Sequence, residues 1–159
     1  MVICIDFDDT VVSQAGRAYE DVATPLRLMS GARLALASLK RAGHTLLLCS
    51  ARANRALRVD PMLDPLVRAG KRRFSRPEWE RQQPVHEARY QQMLAFVAKE
   101  LPGVFDAIDD GVQGKPHADL FLDDKAMRIG PGVLGATWLV VAQVYGEPVY
   151  RQEGSDVRA

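Results

Sequence analysis

The chain is short of cysteine: it has two in 159 residues, Cys4 and Cys49. Both fall inside apolar, strand-like runs. That excludes a disulfide framework and leads us to expect small buried thiols in a reducing compartment. Net charge is also nearly absent, since 21 Lys or Arg against 20 Asp or Glu leave +1. No global field marks the chain as a binder of nucleic acid or of acidic membranes. Long hydrophobic runs are missing too. The longest, 132–146, contains Gln143 and falls short of the roughly 20 apolar residues that span a bilayer. The first expected strand opens at residue 2, so no leader is expected. There is no internal repeat and no low-complexity tract. What is present is an ordinary globular balance, 47% hydrophobic and 26% charged, over a length that suits one domain. The composition leads us to expect a cytoplasmic protein with no membrane segment.

Residues 2–6 (VICID) read as a buried strand, apolar without alternation. Residues 11–29 read as a loop. Residues 30–43 (SGARLALASLKRAG) predict a helix. Ser30 is its expected N-cap, Ala32, Ala35, Leu36 and Leu39 form one face, Lys40 and Arg41 fill the last turn, and Gly43 ends it. Residues 45–49 (TLLLC) predict a second buried strand. Residues 51–85 hold Pro61, Pro65, Pro77 and Pro84 and read as an irregular excursion with one or two short helices. Over 51–90 there are ten Lys or Arg against five Asp or Glu, a basic segment in a neutral chain. A helix is expected over 86–101, with Tyr90, Met93, Leu94, Val97 and Leu101 on one face. Strands are expected at 104–108 and 119–122 and a helix at 133–145, with Trp138, Leu139 and Val141 in the core. The tail, 151–159, reads as disordered. Alternating strands and helices predict an α/β fold, a Rossmann-like sandwich around a central parallel sheet.

In open parallel sheets, sites form at the carboxyl ends of the strands. Each apolar strand here runs into polar chemistry: Asp6 and Asp8, then Ser50, then Asp123 and Asp124. Three carboxylates within four residues, Asp6, Asp8 and Asp9, repel one another unless something offsets their charge. Convergence with a second acidic pair, with no His or Cys ligand beside them, suits Mg²⁺. In an extended segment Asp6 and Asp8 share a face and lie roughly 6–7 Å apart, room for a tetrahedral phosphoryl group. Asp6 then attacks phosphorus, and Asp8 passes a proton to the leaving oxygen and later takes one from water. Ser50 donates a hydrogen bond to a phosphoryl oxygen, or simply caps a helix. Lys115 supplies a positive charge, and Arg52 contacts substrate.

"ICIDFDDTV", "LLLCSAR" and "GKPHADLFLDD" resemble, in order, the motifs of the haloacid dehalogenase-like superfamily. These are a strand ending in D-x-D-x-T, a strand ending in Ser or Thr, a Lys, and a strand ending in paired acids. The resemblance covers 1–50 and 86–130. It implies that Asp6 is nucleophile and metal ligand, and that Asp8 is acid/base and binds Mg²⁺ through its carbonyl. It implies that Thr10 braces the loop at the substrate side, that Ser50 and Lys115 hold phosphate, and that Asp123 and Asp124 complete the metal site. An acid at position 8 points to the phosphatases and mutases of that superfamily. Only one loop and one helix separate Thr10 from Ser50, and 51–85 is too short for a full cap.

The expected organisation is therefore a single capless catalytic domain over 1–150, with 51–85 as a basic insertion or lid. The expected activity is Mg²⁺-dependent hydrolysis of a phosphate monoester through an aspartyl-phosphate. The alternatives are a phosphotransferase or phosphomutase with the same nucleophile, and a non-catalytic phosphate-binding module. Sugar phosphates and nucleotides lead as substrates. A nucleic-acid end also suits Phe74 and Trp79 among basic residues, against the plainer reading of a solvated loop with two aromatic anchors. Either a monomer or a homodimer is compatible with the sequence.

Overall fold

The apolar runs at 2–6 and 45–49 pair as neighbouring parallel strands, and the rest of the sheet is built outward from them. The computed structural model describes residues 1–112, 114, 116–123 and 138–147. In chain order the elements are β1 (Val2–Asp6), β2 (Val12–Ser13), β3 (Arg27–Leu28), α1 (Ala32–Arg41), β4 (Thr45–Cys49), α2 (Arg55–Arg58), α3 (Pro65–Arg68), α4 (Arg76–Glu100), β5 (Ala107–Ile108), β6 (Leu120–Leu122) and α5 (Trp138–Tyr145). The central sheet has four strands in the order β5-β4-β1-β6, all parallel. Helices flank it, so the chain is a mixed α/β protein. Its strand order reverses at β1: β4 and β5 lie on one side and β6 on the other.

Alternation along β1 sets the core. Ile3, Ile5 and Phe7 are fully buried with Leu46, Leu48 and Leu122, while Cys4 and Asp6 face the other way. On α1 the expected face is buried: Ala32, Ala35, Leu36 and Leu39. The start differs from expectation. Gly31, not Ser30, occupies the N-cap in a left-handed conformation, with no side-chain cap bond. The Ala32 N–H donates to the Met29 carbonyl. The end is as expected. Gly43 N–H bonds the Lys40 carbonyl and His44 N–H the Leu39 carbonyl, the paired bonds of a glycine-terminated helix.

α5 packs against α1. Ser38 Oγ donates to the Glu147 carbonyl, a His44 ring nitrogen lies 2.7 Å from the Tyr145 carbonyl, and buried Trp138 donates from Nε1 to the Thr10 carbonyl at 2.8 Å. Positions 133–137 of the helix expected there lie outside the described residues, as does the tail 151–159.

Two stretches are more ordered than the sequence implied. Residues 11–29 contain the antiparallel pair β2–β3, with Val12 opposite Leu28. In 51–85 the long helix begins at Arg76, ten residues early, and runs through Pro84. Proline removes one backbone bond and crowds the preceding turn, but Pro84 is exposed, and side chains on either side of it fasten the helix to α2. Trp79 Nε1 donates to the Ala56 carbonyl at 2.8 Å, Gln83 Nε2 donates to the Arg58 carbonyl at 2.6 Å, and Arg58 pairs with Glu87 at 3.0 Å. These tertiary bonds outweigh the local penalty. Beyond Pro84 the expected stripe is in the core: Tyr90, Met93, Val97 and Leu101 are buried. The strand expected at 104–108 shrinks to Ala107–Ile108.

The cysteine reading is overturned. Cys4 and Cys49 form a disulfide between β1 and β4, with Cα atoms 6.1 Å apart. The register explains why. Cys4 lies opposite Leu47, and Cys49 opposite Asp6, so the two cysteines sit two residues off register on one face of adjacent strands. That separation falls in the usual disulfide range. The cysteines therefore give no argument for a reducing compartment. Among the described residues no helix is long and apolar enough to cross a membrane.

Alkylation in denaturant without reductant is expected to label neither cysteine, and after dithiothreitol to label both, read by intact mass. Because the bond closes a loop of 45 residues, reduction is expected to lower the unfolding free energy by about 2–4 kcal/mol, measured from the urea midpoint. Two labelled thiols in the untreated chain would return Cys4 and Cys49 to separate buried residues.

Candidate active site

Strand order and register bring four chain segments to one sheet edge. Asp6 is the last residue of β1, opposite Cys49, and Ser50 follows β4. Ile5 pairs with Leu122, so Asp123 comes next to Asp6 on the far side. Leu48 pairs with Ile108, and Asp109 follows. Parallel strands lie about 4.8 Å apart, which sets Asp109, Ser50, Asp6 and Asp123 in a row at the carboxyl edge. All four border one cavity of about 390 Å³, together with Cys4, Cys49, Phe121, Asn54 and Gly111. The cavity lies at the reversal of strand order, where ligands of open parallel sheets bind.

The chain around the cavity is held by backbone bonds. Asp109 N–H donates to the Leu48 carbonyl at 2.8 Å, and Gly111 N–H to Asp109 Oδ1 at 2.8 Å. Gly111 has a positive φ of 77°, and a Cβ there would lie 2.1 Å from the Ala53 carbonyl oxygen, so only glycine lets this wall approach the turn after Ser50. Ser50 is extended and caps that turn, with Arg52 N–H donating to its Oγ at 3.2 Å. A serine hydroxyl that accepts such a bond retains its own proton for an anionic oxygen, so capping and phosphate binding are compatible here.

The segment after β1 answers how three close carboxylates coexist. β1 ends at Asp6, and the chain turns. Val11 and Val12 N–H both donate to the Phe7 carbonyl, and Asp9 N–H donates to the Val12 carbonyl at 2.7 Å. Asp9 has φ 56°, a left-handed conformation that aspartate tolerates better than most residues, and its carboxylate accepts from Gln14 N–H at 2.8 Å. Thr10 is fully buried in this turn, and its carbonyl receives the Trp138 indole.

Asp8 is not among the cavity walls. An isolated bridge joins Asp8 to Val12 beyond β1, and the Asp8 carboxylate meets two guanidinium groups. Arg52 donates from Nη2 at 2.6 Å and from Nε at 2.9 Å, Gln14 Nε2 donates at 2.6 Å, and Arg89 Nη2 lies 3.6 Å from Oδ2. The Arg52 side chain also bonds the Arg89 carbonyl at 2.9 Å and Gln92 Oε1 at 3.1 Å, with its guanidinium over the Phe7 ring.

Lys115 and Asp124 lie outside the described residues, although Gly114 and Pro116 border the cavity. Among the described residues no three His, Cys, Asp or Glu side chains cluster closely enough to hold a metal ion. Mg²⁺ asks for less, because it binds through one or two carboxylates and keeps several waters. Asp6 and Asp123 on neighbouring strands supply two hard oxygen donors, and the donor set fits Mg²⁺.

Sequence reasoning missed Asp109 and Arg89. Asp109 was findable by the logic applied to the other strands, since "AIDD" is again an apolar run ending in acids. Arg89 carried no such signal: it sits among the solvent-like charges of a helix, and only the tertiary fold brings it to Asp8. No family model, curated protein or solved structure matches the chain.

Behind Asp8, the Arg89 guanidinium stacks on the Tyr19 ring, and the Tyr19 hydroxyl lies 2.7 Å from His86 Nδ1. Burial, then the nearby Arg89 charge, push the His86 imidazole below its ordinary value of 6.5. The unfolded chain thus takes up this proton first as pH falls. The stability associated with neutral His86 is complete above pH 6.5 and is lost as pH drops through the folded value. In an NMR titration the His86 ring resonances are expected to inflect below pH 6.5. An inflection at or above 6.5 would contradict this environment.

Proposed function

We propose that the chain is a Mg²⁺-dependent phosphatase of the haloacid dehalogenase-like type, hydrolysing a phosphate monoester through an aspartyl-phosphate. One observation carries the reading: Asp6, Ser50 and Asp123, from three segments that resemble that superfamily's motifs in order, border a single cavity at the strand-order reversal. Phosphate monoesters need accelerations up to about 10²¹-fold, which calls for a nucleophile, an acid, a cation and positioning together.

In this reading an Asp6 oxygen attacks phosphorus, and the bond to the leaving oxygen breaks. The Asp8 carboxyl gives that oxygen its proton. Water then attacks the phosphorus of the aspartyl-phosphate while Asp8 takes its proton, which frees phosphate and restores Asp6. Ser50 Oγ donates to a phosphoryl oxygen. Asp6 and Asp123 would hold Mg²⁺, joined by Asp124 and the Asp8 carbonyl if the resemblance holds, and the ion supplies charge neutralisation between the carboxylate and an anionic phosphate. Lys115 would supply a cation to the same phosphoryl group if the resemblance holds.

The substrate class is a sugar phosphate or a nucleotide. The basic segment 51–85 acts as a partial lid over a single catalytic domain, and its charge also suits a nucleic-acid end. Transfer to an acceptor instead of water makes the same machinery a phosphotransferase or phosphomutase.

With Mg²⁺ and a chromogenic phosphate ester, the chain is expected to release inorganic phosphate. Asp6→Asn is expected to lower kcat by about a thousandfold or more. Chelation by EDTA should abolish turnover, and added Mg²⁺ restore it. Phosphate recovered on an acceptor instead of in solution selects the transferase. Absence of turnover across a broad ester panel leaves a non-catalytic phosphate-binding module.

A further inference from the structure

Arg89 has no place in the motifs, yet it is among the most costly side chains in the molecule to bury. Its side chain is 8% exposed, its Nη1 donates to the Tyr19 carbonyl at 2.7 Å, and its Nε finds no hydrogen-bond partner among the described residues. Burial and the like charge of Arg52 both act against its protonated form, and the Asp8 carboxylate acts for it. A buried cation of this kind seldom adds stability over an apolar residue of similar volume. Among the described residues, the one carboxylate it pairs with is Asp8.

The arrangement around that carboxylate is one-sided. The Arg52 and Arg89 side chains are 2% and 8% exposed, while Asp8 itself is 26% exposed. Two buried cations, with Gln14 donating to Oδ1, hold an acid that is itself only partly buried. Arg52 is itself aligned by the Arg89 carbonyl and Gln92, so α4 fixes both guanidinium groups. Charge-assisted bonds of this geometry lock a carboxylate rotamer more firmly than neutral ones.

We infer that Arg89 is a positioning residue for Asp8, fixing the orientation of the carboxylate that the phosphatase reading makes the proton donor to the leaving oxygen. The inference rests on the phosphatase reading and assigns Arg89 no contact with substrate. Its consequence is specific. Loss of the positioning impairs proton delivery to the leaving oxygen, and that matters in proportion to how poorly the group leaves.

The experiment measures kcat/KM, which reports the first phosphoryl transfer, for a series from 4-nitrophenyl through phenyl to alkyl phosphates with Mg²⁺. Arg89→Ala is expected to lose about tenfold to a hundredfold on alkyl phosphates, within the span of general acid catalysis, and less than about threefold on 4-nitrophenyl phosphate. Arg89→Lys is expected to recover part of the alkyl activity. In an Asp8→Ala background, Arg89→Ala should change the leaving-group dependence no further. If the alanine variant unfolds by circular dichroism, the same comparison is made on Arg89→Lys, whose alkyl loss should still exceed its aryl loss. An active parent chain whose Arg89 variants lose activity equally on all esters, or lose none, overturns the positioning role alone. A parent chain inactive on every ester overturns the phosphatase reading and this inference with it.

Discussion

The pairing of β1 between β4 and β6 is the constraint from which the rest follows. Register in a sheet is discrete, and a shift of one residue turns every side chain to the other face. With Ile3 opposite Leu46 and Leu120, the alternate residues Ile3, Ile5 and Phe7 enter the core, and Cys4 and Asp6 face the cavity. The same register puts Cys49 within bonding range of Cys4 and Ser50 and Asp123 beside Asp6. A slip of β4 by one residue would bury Cys49, separate the sulfurs and carry Ser50 away from Asp6. Core, disulfide and site thus share one geometric condition.

Electrostatics settle the next level. Asp6, Asp8 and Asp9 stand within four residues, and no single cation needs to balance them all. The turn after β1 sends them to different surroundings. Asp6 stays at the sheet edge, Asp9 accepts a backbone N–H within the turn, and Asp8 goes to Arg52, Arg89 and Gln14. Oppositely charged or hydrogen-bonding partners lower the repulsion for the latter two.

The sequence made legible whatever depended on local pattern. The strands at 2–6 and 45–49, the buried face of α1 and the stripe from Tyr90 to Leu101 follow from hydrophobic period and from glycine at a helix end. The meeting of Asp6, Ser50 and Asp123 followed from the rule for parallel sheets. Where tertiary contacts decide, local reading fell short. The helix through Pro84 depends on Trp79, Gln83 and Arg58 reaching α2, and a window of sequence contains no sign of those bonds. The disulfide depends on which strands are neighbours, and apolar flanks cannot reveal that. The partners of Asp8 arrive from other elements, Arg52 from the turn after β4 and Arg89 from α4, and no window of sequence around Asp8 contains them.

α4 shows how core and site become coupled. Met93 and Val97 anchor it under the sheet, Phe96 meets Phe7 edge-on with centroids 6.0 Å apart, and two turns before Val97 Arg89 reaches Asp8. Phe7 lies between Asp6 and Asp8 in sequence and also takes the Arg52 guanidinium on its ring. A displacement of α4 therefore moves the cations behind Asp8 and presses on the residue joining the two acids. The helix has an independent tie at its other end, where Trp79 and Gln83 grip α2 and α2 adjoins the turn after Ser50. The basic segment is thereby bound to the same helix that holds the cations behind Asp8.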